Sequence, residues 1–163
     1  MAPLKLIALD KEDIEVVSAH LQDSIVKVAD IHWHPAEHRL VVVLGRFDWE
    51  TAKTGSSATG APHYIRHLAA LRFDRVEACQ CRNVMQDAKE AVLNLLAVEF
   101  KETEAPAGTV TLVFSGGGAL RLQVECLEAE LADLGPTWAA TCCPEHAIEG
   151  AAPGVDASSL SRH

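Results

Sequence analysis

The stretch from Gly108 to Cys126, GTVTLVFSGGGALRLQVEC, leaves this chain little freedom in what it can fold into. Val110, Leu112 and Phe114 alternate with Thr109, Thr111 and Val113. Three glycines follow, and then Leu120, Leu122, Val124 and Cys126 alternate with Arg121, Gln123 and Glu125. A period of two sends successive side chains to opposite faces of a strand, so each run has one apolar and one polar face. Glycines supply the backbone freedom that the reversal between the runs requires. The stretch is a β-hairpin with one buried and one wet face, and the wet face of its second strand is charged.

The same period recurs along the chain. SIVKVADI from Ser24 and RLVVVLGRFDW from Arg39 read as strands joined by a turn around Pro35, which cannot donate to a ladder. The run from His63 to Val84 reads as two more, bending between Phe73 and Arg75. Residues 88–101 are ambiguous: Asp87 with Glu90 suits a helix start, whereas LLAVEFK before the turn EAPAG suits a strand. Near the N-terminus a short extended run, Leu4 to Leu9, precedes Asp10, an N-cap for a helix from Lys11. Asp13 keeps the first turn acidic, Leu9 and Ile14 occupy hydrophobic-staple positions, and Ile14, Val17 and Leu21 share one helical face. In LEAELADLG, Leu127, Leu131 and Leu134 also fall on one helical face, with Gly135 and Pro136 as the stop. Residues 50–62 are small and polar and read as a loop. The expected fold is α+β and mostly β: about seven antiparallel strands in a bent sheet or pleckstrin-homology-like barrel, with an N-terminal helix and a closing C-terminal helix. Residues 1–140 form one expected domain and 141–163, poor in large apolar residues, an expected disordered tail.

A chain of 163 residues can bury a sizeable core without metal or disulfide staples. Its net charge of −9 argues against nucleic acid and anionic membranes, both of which attract basic surfaces. The apolar run at Leu4–Leu9 is too short and too soon acidic for a signal peptide. Five cysteines, an odd number without a regular framework, suit reduced thiols, and the expected location is cytoplasmic.

The segment IHWHPAEH raises the question of a metal. His32 and His34 fall on one strand face, and His38 or Glu37 across the turn can complete a zinc or other divalent-metal site; the plain alternative is a histidine-rich turn with Trp33 packed inward. His63 and His67 are four apart, about 13 Å along a strand, a poor spacing for sharing a ligand. Cys79 and Cys81 share a strand face as small hydrophobes. Cys142, Cys143 and His146 cluster on paper where the expected tail begins. SGGGA lacks the Lys-Ser/Thr and the following helix of a phosphate loop, and no nucleophile elbow or catalytic carboxylate pair stands out. Arg66, Arg72, Arg75 and Arg82 form a local basic patch suited to an acidic ligand, unless Asp74, Glu77 and other carboxylates neutralise them.

Three stretches together, SAHLQDSIVKVAD, GRFDWE with LRFDRVEACQ, and GTVTLVFSGGGALRLQVECLEAELADLG, resemble a mainly alphaproteobacterial family known only as a domain of unknown function, number 2948. The resemblance spans roughly residues 3 to 140. It implies a cytoplasmic protein without an established activity, and the family pattern does not demand histidine at positions 32, 34 and 38. The leading expectation is a non-catalytic β-barrel module that binds a protein partner or small acidic ligand and needs no cofactor. The alternatives are a metal protein or metal-dependent enzyme built on His32 and His34, and a homodimeric structural protein.

Overall fold

A computed structural model describes residues 3–49 and 65–139 of the chain. Ten strands and one α-helix occupy them: β1 (Lys5–Ala8), α1 (Lys11–Leu21), β2 (Ser24–Lys27), β3 (Ile31–His34), β4 (Arg39–Phe47), β5 (Ile65–Phe73), β6 (Val76–Arg82), β7 (Val92–Glu102), β8 (Gly108–Phe114), β9 (Ala119–Val124) and β10 (Ala129–Ala139). Every pairing is antiparallel, in the order β1-β10-β5-β4-β2-β7-β8-β9-β6, with β3 beside β4.

That order cannot lie flat. β5 is third in the path and β6 is ninth, so six strand spacings, about 29 Å, would separate them in a plane. Yet only Asp74 and Arg75 join them, and three Cα steps reach at most about 11 Å. The β9–β10 connection makes the same demand. The sheet therefore doubles back into two layers, β3-β4-β5-β10-β1 and β2-β7-β8-β9-β6. The chain passes between the layers where β2, paired mainly with β7, turns through a short 3-10 segment into β3, paired with β4. Leu40, Val42, Leu71, Phe73 and Leu131 of the first layer and Leu95, Val110, Leu112, Phe114 and Leu122 of the second belong to one buried cluster.

Helix α1 starts as its sequence requires. Asp13 donates its N–H to Asp10 Oδ1 at 2.8 Å, and the Asp13 carboxylate accepts from Leu9 N–H at 3.0 Å. The staple does not form, since Leu9 stays 61% exposed while Ile14 is buried. β2 reaches only to Ser24, so β7 continues past it without a strand neighbour on that side. Here α1 packs against β7, β1 and β4 and buries Ile14, Val17 and Leu21.

Two expectations need correction. The described residues hold ten strands rather than about seven, because short segments such as β1 and β3 pair as full members. The expected C-terminal helix is strand β10. Leu127, Ala129 and Leu131 are buried, with Glu128 and Glu130 between them, so the tertiary environment selects the period-two reading of LEAEL over the helical one. Gly135 and Pro136 do not stop a helix; they lie where the β10–β5 register shifts between Asp133 and Thr137, and Gly135 takes a φ of 109°.

Candidate functional site

The inner face of the first layer can be read row by row. Leu40, Phe73 and Ala129 are neighbours, then Val42, Leu71 and Leu131, then Leu44, Ala69 and Asp133, and last Arg46 opposite His67. The core thus turns from apolar to ionic within two rows. Arg46 makes a bidentate pair with Asp133, Nε to Oδ1 at 2.8 Å and Nη2 to Oδ2 at 2.9 Å, and Leu4 N–H donates to Asp133 Oδ2 at 2.9 Å. His67 Nε2 lies 2.9 Å from Asp48 Oδ2, and its Nδ1 faces Asp133 Oδ2 at 3.8 Å. Burial pushes the Asp133 carboxyl upward, but the Arg46 and Leu4 hydrogen bonds with the Arg46 and His67 charges outweigh it and hold the group below its ordinary 3.8. An imidazole bracketed by two carboxylates, one of them already clamped by arginine, is built for cohesion.

The outer face of the same layer is also ionic and also closed. Lys5 pairs with Glu130 (3.3 Å), Glu130 with Arg72 (2.7 Å), Arg72 with Asp74 (2.9 Å), Asp74 with Arg39 (2.7 Å) and Arg39 with Glu37 (3.6 Å). The hydrogen bond and charge of Asp74 raise the Arg39 pKa above its usual value. Among the four arginines singled out in the sequence, Arg72 is a link in this chain and Arg75 stands 4.0 Å from Glu128 at the β5–β6 bend. Arg66 is buried, donating to the carbonyls of Asp23 and Gly45 at 3.1 and 3.2 Å with its guanidinium 5.6 Å from the Phe47 ring centre. Arg82 ends β6, exposed. Six residues of one strand, about 20 Å, separate Arg66 from Arg72, so the four do not converge on one spot.

His32 and His34 share the exposed face of β3 with ring centres 6.4 Å apart, while Trp33 packs against the core. His38 adopts a left-handed turn (φ 54°) and places Nδ1 3.2 Å from the Val76 carbonyl, and its own carbonyl accepts from Val76 N–H. It ties the β3–β4 turn to β6. Among the described residues no group of three His, Cys, Asp or Glu side chains is placed to hold a metal ion. His63, Cys142, Cys143 and His146 lie outside the described residues, as do the expected loop and tail. Burial and the neighbouring Cys81 push the Cys79 thiol up to about 11, and burial also raises Cys81 against a hydrogen bond from Gln86.

The second layer is different. Between α1 and the outer side of β7, β8 and β9 lies a cleft of about 1020 Å³. Lys11, Ile14, Glu15 and Ser18, spaced three and four apart, give it a wall along one stripe of α1. Its floor follows the ladder: Glu99, Thr111 and Arg121 lie in one row, and Lys101 and Thr109 in the next. Among the described residues, Lys11, Lys101, Arg121, Glu15, Glu99 and Glu102 take part in no ion pair. Sequence reasoning found the charged wet face at Arg121 but not the cleft, because nothing local shows that α1 rises beside Glu99 and Lys101.

Two layers of antiparallel sheet, with a helix-walled cleft whose charges form no ion pair among the described residues, define an antiparallel β-sheet module. The chain belongs to the family described as protein of unknown function (DUF2948), whose model matches residues 4–146. No curated protein and no solved structure matches it. No helix among the described residues is long and apolar enough to cross a membrane.

Proposed function

We propose that this protein is a non-catalytic binding module that holds its ligand in the cleft between α1 and β7–β9. The observation that carries the reading is the set of six charged side chains around that cleft that form no ion pair among the described residues, beside a first layer whose charged side chains pair with one another. A cleft near 1000 Å³ suits a small molecule or a short stretch of polypeptide. Charges of both signs favour a ligand that itself carries both, which modifies the simpler expectation of an acidic ligand.

The test is cross-linked capture from the source cells with tagged wild-type protein, a Lys101→Glu/Arg121→Glu variant and an Arg72→Ala variant, each checked for folding by circular dichroism. The expected result is one species that accompanies the wild type and Arg72→Ala and is lost from the cleft variant. A species retained equally by all three would place binding elsewhere and overturn the reading.

A further inference from the structure

The cleft differs from an ordinary surface groove in which residues of β7 line it. On β8 only Thr109 and Thr111 do so, alternate residues, as expected for a strand seen from its face. On β7 every residue from Ala97 to its end at Glu102 does, and so does Thr103 just beyond. Consecutive lining means that the cleft runs along the strand's edge, where the backbone itself is presented. The pairing agrees: β2 covers β7 only as far as Leu95, and no described strand flanks it beyond.

Which backbone groups face that edge follows from two hydrogen bonds. Val98 N–H donates to Ser18 Oγ of α1 at 2.9 Å, so Val98 points away from β8. Thr103 N–H donates to Ala107 C=O at 3.0 Å, so the odd-numbered residues here point toward β8. Backbone direction alternates along a strand, and Phe100 and Glu102 therefore turn both N–H and C=O to the open edge. Ser18 caps the ladder at Val98. We infer that the cleft takes an extended segment of a protein partner, which adds as a strand along Phe100–Glu102 under the wall of α1. The inference rests on the cleft being the binding site and specifies what fills it.

The side chains give the segment a pattern. Glu99 and Lys101 stand two residues apart on the outer face, so an added strand matches them with a basic and an acidic residue, also two apart, on its own outer face. Its intervening residue turns inward toward Ile14 and the half-buried Phe100.

The experiment selects phage-displayed random 12-residue peptides on the immobilised full-length protein. Selected peptides are then synthesised with one backbone nitrogen methylated at a time. Expected are an acidic and a basic residue two apart, protection of the Phe100 and Glu102 amides from hydrogen exchange, and loss of about tenfold or more in affinity on methylation at alternate positions only. A Glu99→Lys/Lys101→Glu exchange should reject the selected peptides and accept their charge-inverted versions. Affinity indifferent to methylation overturns strand addition, as does a failure to recover any peptide. Protection of Phe100 and Glu102 that rises with protein concentration alone also overturns it, because the occupant is then a second copy of the chain. If cellular capture instead yields a small molecule lost from the Lys101→Glu/Arg121→Glu variant, the cleft stands as the site and the peptide occupant falls. If peptides bind that variant unchanged and leave the edge unprotected, both readings fall.

Discussion

The outer faces of the two layers carry similar side chains and put them to opposite uses. On the first layer, Lys5, Glu130, Arg72, Asp74, Arg39 and Glu37 form an unbroken line of alternating charge. On the second, Lys11, Glu15, Glu99, Lys101 and Arg121 face one cleft and pair with nothing among the described residues. The first arrangement is spread across four neighbouring strands, where cross-strand positions about 5 Å apart let opposite charges meet. The second spans a helix and three strands around an open volume that keeps them apart. A charge already matched by its neighbour gains little from a ligand, whereas an unmatched one is left to steer and select a ligand of complementary charge. Arginine count alone therefore misleads about where a ligand binds.

The comparison predicts a ranking of effects. Asp133→Ala should be the most damaging, because it strands the buried Arg46 and removes the acceptor for Leu4 N–H; we expect a loss of about 3–5 kcal/mol in urea unfolding. The same carboxylate fixes a pH window. Its pKa is lowered on folding, so its contribution is complete above the ordinary value of 3.8 and disappears as pH falls through the lower folded value. Asp133→Asn should flatten the acid limb of stability below pH 3.8 relative to wild type, and an unchanged slope there would remove Asp133 from the account. Gly108→Ala comes next. A Cβ there would stand 2.5 Å from Phe100 Cε1 and 2.6 Å from the Lys101 carbonyl, forcing β7 and β8 apart at the cleft floor. The expected cost is about 1–3 kcal/mol, read as a lowered urea midpoint at unchanged m-value.

Much of this fold was legible before the structure. The β8–β9 hairpin, the Asp10 cap, the bend at Asp74–Arg75 and the inward Trp33 all depend on neighbours close in sequence, which is where periodicity and capping chemistry speak. Strand β10 was misread because Leu127, Leu131 and Leu134 fit a helix as well as Leu127, Ala129 and Leu131 fit a strand. The decision between them came from Phe73 and Leu71 of β5, more than fifty residues away. The cleft was hidden for the same reason: Ser18 meets Val98 across eighty residues, and no local pattern announces that β2 stops short and leaves the edge of β7 open. The arginines were visible as a group because they are close in sequence. A strand carries such neighbours apart, and Arg66 and Arg72 end in unrelated environments.

The smallest expected effects separate the two outer faces most directly. Arg72→Ala removes two partners from the charged line, and with Arg72 43% exposed the loss should stay under about 1 kcal/mol at low salt. That loss should shrink further in 1 M NaCl, where screening acts within about 3 Å. Arg121→Ala removes no ion pair among the described residues, so stability should change by less than about 0.5 kcal/mol and show no salt dependence. The two variants, unfolded in urea at low and high salt, thus test whether the second layer's charges are idle in the isolated protein. A salt-sensitive loss at Arg121 equal to that at Arg72 would mean that its charge is already engaged, and the distinction between a closed face and an open one would collapse. A flat response at Arg121 beside a screened one at Arg72 would leave the cleft charges serving something that the isolated chain does not contain.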